Sequence, residues 1–163
     1  MIDTDCVYAL IISPTRELSL QIYKILQIFQ KKLNFFGIKC HFGGAQKKSQ
    51  EQGNGNHIVV TTPGRINDIL KELINEKNNL YRNLKYLVMD EADRLLDSNF
   101  QLELKDIILK LPKQRRTGLF SATLTSKKIE DLIRVGLRNP AVIKLSVSLI
   151  TIKPAKVAKF FNF

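Results

Sequence analysis

The stretch LVMDEADRL, residues 87–95, runs three apolar residues directly into Asp90, Glu91 and Asp93. Tyr86 to Met89 read as a buried strand, because a short continuous apolar run bounded by polar residues suits a strand covered on both faces. Three carboxylates in four positions repel one another and bind water, a poor ending for such a strand unless a cation meets them. Asp90, at the strand end, is placed to hold a divalent metal beside a reacting phosphate. Glu91, one methylene longer, can reach a water beyond the metal. The same letters also read as a helix N-cap followed by favourable first-turn acids.

On either side of this stretch, strand-like and helix-like segments alternate. Val7–Ile12 (VYALII) is an apolar run ended by Ser13-Pro14. From Thr15 the period changes, and Leu18, Ile22, Ile25, Leu26, Phe29 and Leu33 predict an amphipathic helix. Ile38–Phe42 is a strand stopped by Gly43-Gly44, and the polar AQKKSQEQGNGN that follows reads as a helical turn plus loop. His57–Thr61 is a strand closed by Pro63-Gly64, before a helix marked by Ile66, Ile69, Leu70, Leu73 and Ile74. Phe100, Leu104, Ile107, Ile108 and Leu111 mark the helix after the acidic strand, and Arg116–Ser121 is a fifth strand. Thr125 or Ser126 can cap a helix carrying Ile129, Leu132 and Ile133; Asn139-Pro140 lies beyond its end, and Val142–Leu145 reads as a short last strand. This alternation predicts an α/β fold, a parallel sheet flanked by helices, with ligands gathered at the carboxyl ends of the strands.

A chain of 163 residues supports one domain with a sizeable core. Its 44% apolar and 25% charged residues are ordinary for a globular protein. Twenty-six Lys and Arg against fifteen Asp and Glu leave a net charge of +11, which favours a polyanionic partner over a neutral one. A solvated basic surface is the plain alternative. Cys6 and Cys40 lack metal-ligand spacing, which argues against zinc and for a reducing, intracellular compartment. The start MIDTDC lacks the basic opening of a secretory signal, and Val7–Ile12 is too short to span a bilayer, so no membrane association is expected.

Each predicted strand ends in a polar cluster: SPTRE, GG, TTPGR, DEAD and SAT. Turn chemistry accounts for the glycines and prolines, not for the carboxylates or for Arg16 and Arg65 at matching places. Hydroxyls, helix-start amides and guanidinium forks suit phosphate oxygens, so Thr15-Arg16 and Thr62–Arg65 read as contacts to a nucleic-acid backbone. A salt bridge to a neighbour such as Glu17 is the alternative for either arginine. Ser121 and Thr123 can hydrogen-bond Asp93, a phosphate, or merely the next turn.

PTREL at 14–18, GG at 43–44, TPGR at 62–65, DEAD at 90–93 and SAT at 121–123 resemble, in identity and order, the motifs of DEAD-box RNA helicases. The likeness covers residues 7–145. It implies a RecA-like domain of the P-loop NTPase type that clamps ATP and RNA together with a second such domain. Asp90 would then hold Mg²⁺ through water and Glu91 would act as hydrolytic base, both facing the nucleotide. Asp93, Ser121 and Thr123 would link the nucleotide site to strand separation. Thr15, Arg16, Gly44, Thr62, Gly64 and Arg65 would line the ribose-phosphate track. LPKQRRTGLFSAT (111–123) and LIRVGLRNP (132–140) look like segments of the helicases that serve large ribosomal subunit assembly in the nucleolus, which makes pre-ribosomal particles an expected partner. SATLT stands here where that subfamily has SATQT.

The chain also departs from the family pattern. No G-x-x-x-x-G-K-[ST] occurs, and only thirteen residues precede Pro14, whereas the family's phosphate-binding loop and adenine-reading segment lie ahead of PTREL. The expectation is therefore a partial first RecA-like domain at residues 1–145, with 146–163 as a tail outside the pattern. Such a fragment of a longer helicase would be inactive toward ATP by itself. A non-catalytic RNA-backbone-binding module is the alternative. In the family the phosphate-loop strand lies beside the strand ending in SAT. Without it Gly118–Ala122 is an apolar sheet edge that the tail or a partner has to cover.

Overall fold

The computed structural model describes residues 6–33, 36–41, 49–52, 55–73, 80–97, 100–123, 126–145 and 157–161. The apolar runs form β1 (Ala9–Ile12), β2 (Ile38–His41), β4 (Ile58–Thr61), β5 (Tyr86–Met89) and β6 (Arg116–Ser121). These five lie parallel in the order β2-β4-β1-β5-β6. Helices α1 (Arg16–Leu33), α2 (Pro63–Leu73), α3 (Ala92–Asp97), α4 (Gln101–Lys110) and α5 (Lys127–Gly136) connect and cover them. Successive strand residues face opposite sides. Leu10, Ile12, Val59, Leu87, Met89 and Leu119 join one core cluster with Ile66, Leu104, Ile107 and Ile129. Val60, Ile38 and Cys40 join a smaller one with Tyr23 of α1. Burial on both faces is why these strands read as continuous apolar runs rather than alternating ones.

Two local expectations change. Within AQKKSQEQGNGN, Ser49–Gln52 is not a helical turn but a strand, β3, antiparallel to β2. Its backbone satisfies the outer groups of β2, and an edge strand of polar letters carries no apolar period to be recognised by. On α1, Ile25, Phe29 and Leu33 are 55%, 54% and 52% exposed, while Ser19, Tyr23 and Gln30 are buried. The line packed on the sheet runs 19-23-26-30, rotated from the apolar stripe. A short helix, α3, starts inside the DEAD letters at Ala92, in agreement with the alternative reading of that stretch as a helix start, although Asp90 Oδ1 accepts the Glu91 amide rather than an amide within the helix. Ser126 rather than Thr125 caps α5, its Oγ accepting the Ile129 amide at 3.3 Å; Thr125, like Phe42 and Ile74, lies outside the described residues.

The sheet does not end at β6. β7 (Ala141–Leu145) is not the last strand, because β8 (Val157–Phe161) follows it, pairs antiparallel with β7, and pairs antiparallel with β6. The register sets Gly118 opposite Phe161 and Ser121 opposite Ala158. The open edge expected at Gly118–Ala122 is thus covered by the chain's own tail.

Candidate functional site

Strand register decides where the polar clusters emerge. Ile12 pairs with Thr61 on one side and Met89 on the other, and Met89 with Leu119. One residue further, the Ser13 amide donates to the Thr61 carbonyl at 3.0 Å and the Asp90 amide to the Ile12 carbonyl at 2.9 Å. SPTRE, TTPGR, DEAD and SAT therefore leave the sheet on one edge. Gly43 and Gly44 lie outside the described residues.

At the end of β5, Asp90 is half-buried, with Oδ1 accepting the Glu91 amide at 3.0 Å. Glu91 has φ 47°, the left-handed region, which costs a non-glycine residue about 1–3 kcal/mol. Its Oε2 meets Arg94 Nη1 at 3.0 Å. With side chains 37% and 70% exposed, that pair adds little stability by itself. Asp93 sits in the first turn of α3, and Thr123 Oγ1 donates to Asp93 Oδ2 at 3.1 Å, tying the SAT turn to the acidic turn. Ser121 is buried and donates instead to the Thr123 carbonyl at 2.7 Å, closing its own turn.

Among the described residues no group of three His, Cys, Asp or Glu is placed to hold a metal. Asp90 would hold a hard cation through its water shell, and Mg²⁺, which keeps several waters when bound, suits such a sparse set of oxygen donors. The donor set fits Mg²⁺ and not a calcium or zinc cage.

The neighbouring clusters have structural duties as well. Thr15 Oγ1 accepts the Leu18 amide at 3.2 Å and so caps α1, leaving Arg16 exposed at the first helical position. The Ser13 and Ser19 hydroxyls lie 2.6 Å apart, and Ser19 Oγ donates to the Thr15 carbonyl at 3.0 Å, fastening the start of α1 to the end of β1. Thr62 is half-buried, its carbonyl accepting the Ile66 amide at 3.2 Å, and Pro63 opens α2. Gly64 is different: a Cβ built there would meet nothing within 4 Å, so internal packing does not require glycine. Arg65 is half-buried, with Nη1 buried and without a hydrogen-bond partner. Its charge opposes the rise that burial imposes on the Tyr81 phenol.

Capping and turn closure account for Thr15, Ser121 and part of DEAD. They do not account for the open space at Gly64, the Arg65 nitrogen or the left-handed Glu91. Reading the letters alone also missed three positioning residues. Arg94 was detectable as an i,i+3 partner of Glu91. Ser13 and Ser19 carry no pattern, because only the fold brings them together.

The DEAD/DEAH box helicase family model matches residues 2–132. DEAD-box ATP-dependent RNA helicase 18 of Arabidopsis thaliana is 44% identical over 144 residues, 85% of this chain and 23% of the relative. DEAD-box ATP-dependent RNA helicase 55 of the same plant is 47% identical over 136 residues, 82% and 27% respectively. ATP-dependent RNA helicase DDX55 of Homo sapiens is 44% identical over 137 residues, 81% and 23%. The chain thus spans about a quarter of the length of these curated relatives. Among solved structures, Mss116p bound to ssRNA and AMP-PNP superposes with a TM-score of 0.64 at 29% identity, covering 82% of this chain and 28% of that one. A DEAD box protein from Methanococcus jannaschii gives 0.66 at 27% identity, covering 82% and 36%. The matched span runs from before β1 into α5 and contains the whole motif edge: the chain belongs to the DEAD/DEAH box helicase family.

Proposed function

We propose that this chain is part of an ATP-dependent RNA helicase, coupling ATP binding and hydrolysis to local separation of RNA strands. The observation that carries the reading is the convergence of SPTRE, TTPGR, DEAD and SAT on one sheet edge, with Thr123 bonded to Asp93 between them. Asp90 would hold Mg²⁺ through water, and the bound ion would neutralise charge on the nucleotide phosphates. Glu91 would take the proton of the attacking water on its carboxylate. Asp93, Ser121 and Thr123 would pass the state of that turn to the RNA face. There Thr15, Arg16, Thr62, Gly64 and Arg65, with Gly44, would hold ribose and phosphate without reading bases.

The names of the relatives support this activity, as does the neighbour bound to ssRNA and AMP-PNP. These 163 residues contain no Gly-Lys-Ser/Thr loop, and a lysine on the β- and γ-phosphates is central to such sites. A second RecA-like domain and that loop must come from outside them, so the 163-residue chain is proposed to be inactive toward ATP alone. The likeness of residues 111–123 and 132–140 to nucleolar helicases supports large ribosomal subunit assembly as the setting and pre-ribosomal particles as partners. Among the described residues no helix is long and apolar enough to cross a membrane.

Purified chain should show no RNA-stimulated ATP hydrolysis; robust turnover abolished by Glu91→Gln would overturn the inactivity. In a fluorescence anisotropy titration Arg16→Ala with Arg65→Ala should weaken single-stranded RNA binding at least tenfold, while Glu91→Gln leaves it unchanged. Undiminished binding by the double variant would remove the track. The missing lysine loop favours a second reading, a non-catalytic module that grips the RNA backbone. An in-frame Gly-Lys-Thr loop in the gene upstream of Met1 would decide for the enzyme, and a true start at Met1 for the module.

A further inference from the structure

A cavity of about 190 Å³ lies where β6 begins, at the end of the sheet opposite the motifs, with Lys113, Arg115, Arg134 and Arg138 among its lining. Its floor is apolar, formed in part by Ile108 and Leu137. A second hollow of about 350 Å³, lined by Lys85, Tyr86, Gln114, Arg115 and Arg116, shares Arg115 with the first. Among the described residues, six cations thus border two adjoining hollows, and no carboxylate lines either one. The ion pairs Arg94–Glu91 and Lys128–Asp97 between described residues draw on none of them.

Arg115 is the fixed member. Its Nη1 donates to the Pro112 carbonyl at 2.6 Å and more weakly to that of Leu111 at 3.5 Å, while Nε is buried with no acceptor. Burial and the neighbouring Arg138 charge both press its guanidinium below its ordinary pKa. Gathering like charges around a partly buried arginine is unfavourable unless an anion completes the set. Arg134, Arg138, Lys113, Arg116 and Lys85 are exposed and free to swing onto one.

We infer that these two hollows are a second phosphate-binding surface, holding the sugar-phosphate backbone of an RNA strand on the face of the domain opposite the motif edge. A row of cations spread over two open hollows suits the repeated charges of a polynucleotide better than one small anion, which would occupy a single pocket. The chain's net charge of +11 favours the same ligand. None of these residues belongs to the proposed track, so this inference stands or falls separately from it.

The test uses the whole 163-residue chain and a fluorescein-labelled single-stranded RNA, with affinity followed across salt concentration. Arg134→Gln with Arg138→Gln should lower affinity at least tenfold at low salt. It should also flatten the slope of log K against log[salt] by about 1.4, or 0.7 for each neutralised phosphate of a single strand. A charge-matched control, Lys24→Gln with Lys31→Gln on exposed positions of α1, should keep the original slope. An unchanged slope in the arginine variant, or an equal loss in the control, overturns the site. Inorganic phosphate titrated at constant ionic strength separates the sources. If it binds wild type but not the arginine variant while RNA affinity is unaltered, the surface is a small-anion site and the RNA assignment is wrong. Arg16→Gln with Arg65→Gln, measured alongside, reports on the motif edge independently.

Discussion

Glu91 holds a backbone conformation that its own side chain disfavours, at the turn joining β5 to α3. Glycine takes that conformation without strain, so Glu91→Gly should leave stability unchanged or raise it by up to about 1 kcal/mol, read as the urea midpoint. A loss well beyond 1 kcal/mol would mean that the Arg94 pair is worth more than its exposure implies. Cys40 carries a second residue-scale consequence. Burial pushes its thiol from 9.0 up to about 12, and the Tyr81 phenol is also raised. Above pH 9 the unfolded chain releases these protons while the folded chain keeps them, so stability is whole below that pH and lost as pH rises toward 12. The loss per group is at most about 1.4 kcal/mol per pH unit. Urea midpoints at pH 8 and pH 10.5 should differ accordingly, and Cys40→Ala should shrink the difference. A flat profile would contradict the burial of both groups.

At the scale of elements, caps and edges carry the stability that a reader of the letters can least see. Ser126→Ala removes the acceptor for the Ile129 amide and should cost about 1 kcal/mol in chemical denaturation. β8 matters more. Ending the chain after Leu145 strips β6 of its antiparallel partner and bares the backbone of Gly118 to Ser121. The truncated chain should self-associate in a concentration-dependent way by size-exclusion chromatography with light scattering, where the whole chain does not. A truncated chain that stays monomeric at high concentration would show that β8 is dispensable as a cover. The strands of the parallel core were legible because continuous apolar runs bounded by Gly, Pro and Ser need no distant information. β3 was not, since polar letters at an edge have no period. The buried line of α1 was misread because Ser19 and Gln30 are buried polar residues, which no hydrophobic stripe announces.

At the scale of the molecule, the sheet separates two charged faces. The acids and the paired hydroxyls stand at the carboxyl ends of the strands, and a cationic surface stands at their beginnings. Local spacing in the sequence by itself determined the α/β class, the five parallel strands and the motif letters, because short apolar runs and short polar motifs are written within a few residues. Only the tertiary structure decided that Thr123 meets Asp93 across thirty positions, that the tail covers β6, and that Lys85, Arg115 and Arg138 border adjoining hollows. Those facts depend on sheet order and register, which are set by which faces bury together over long distances in the chain, and no local pattern encodes them.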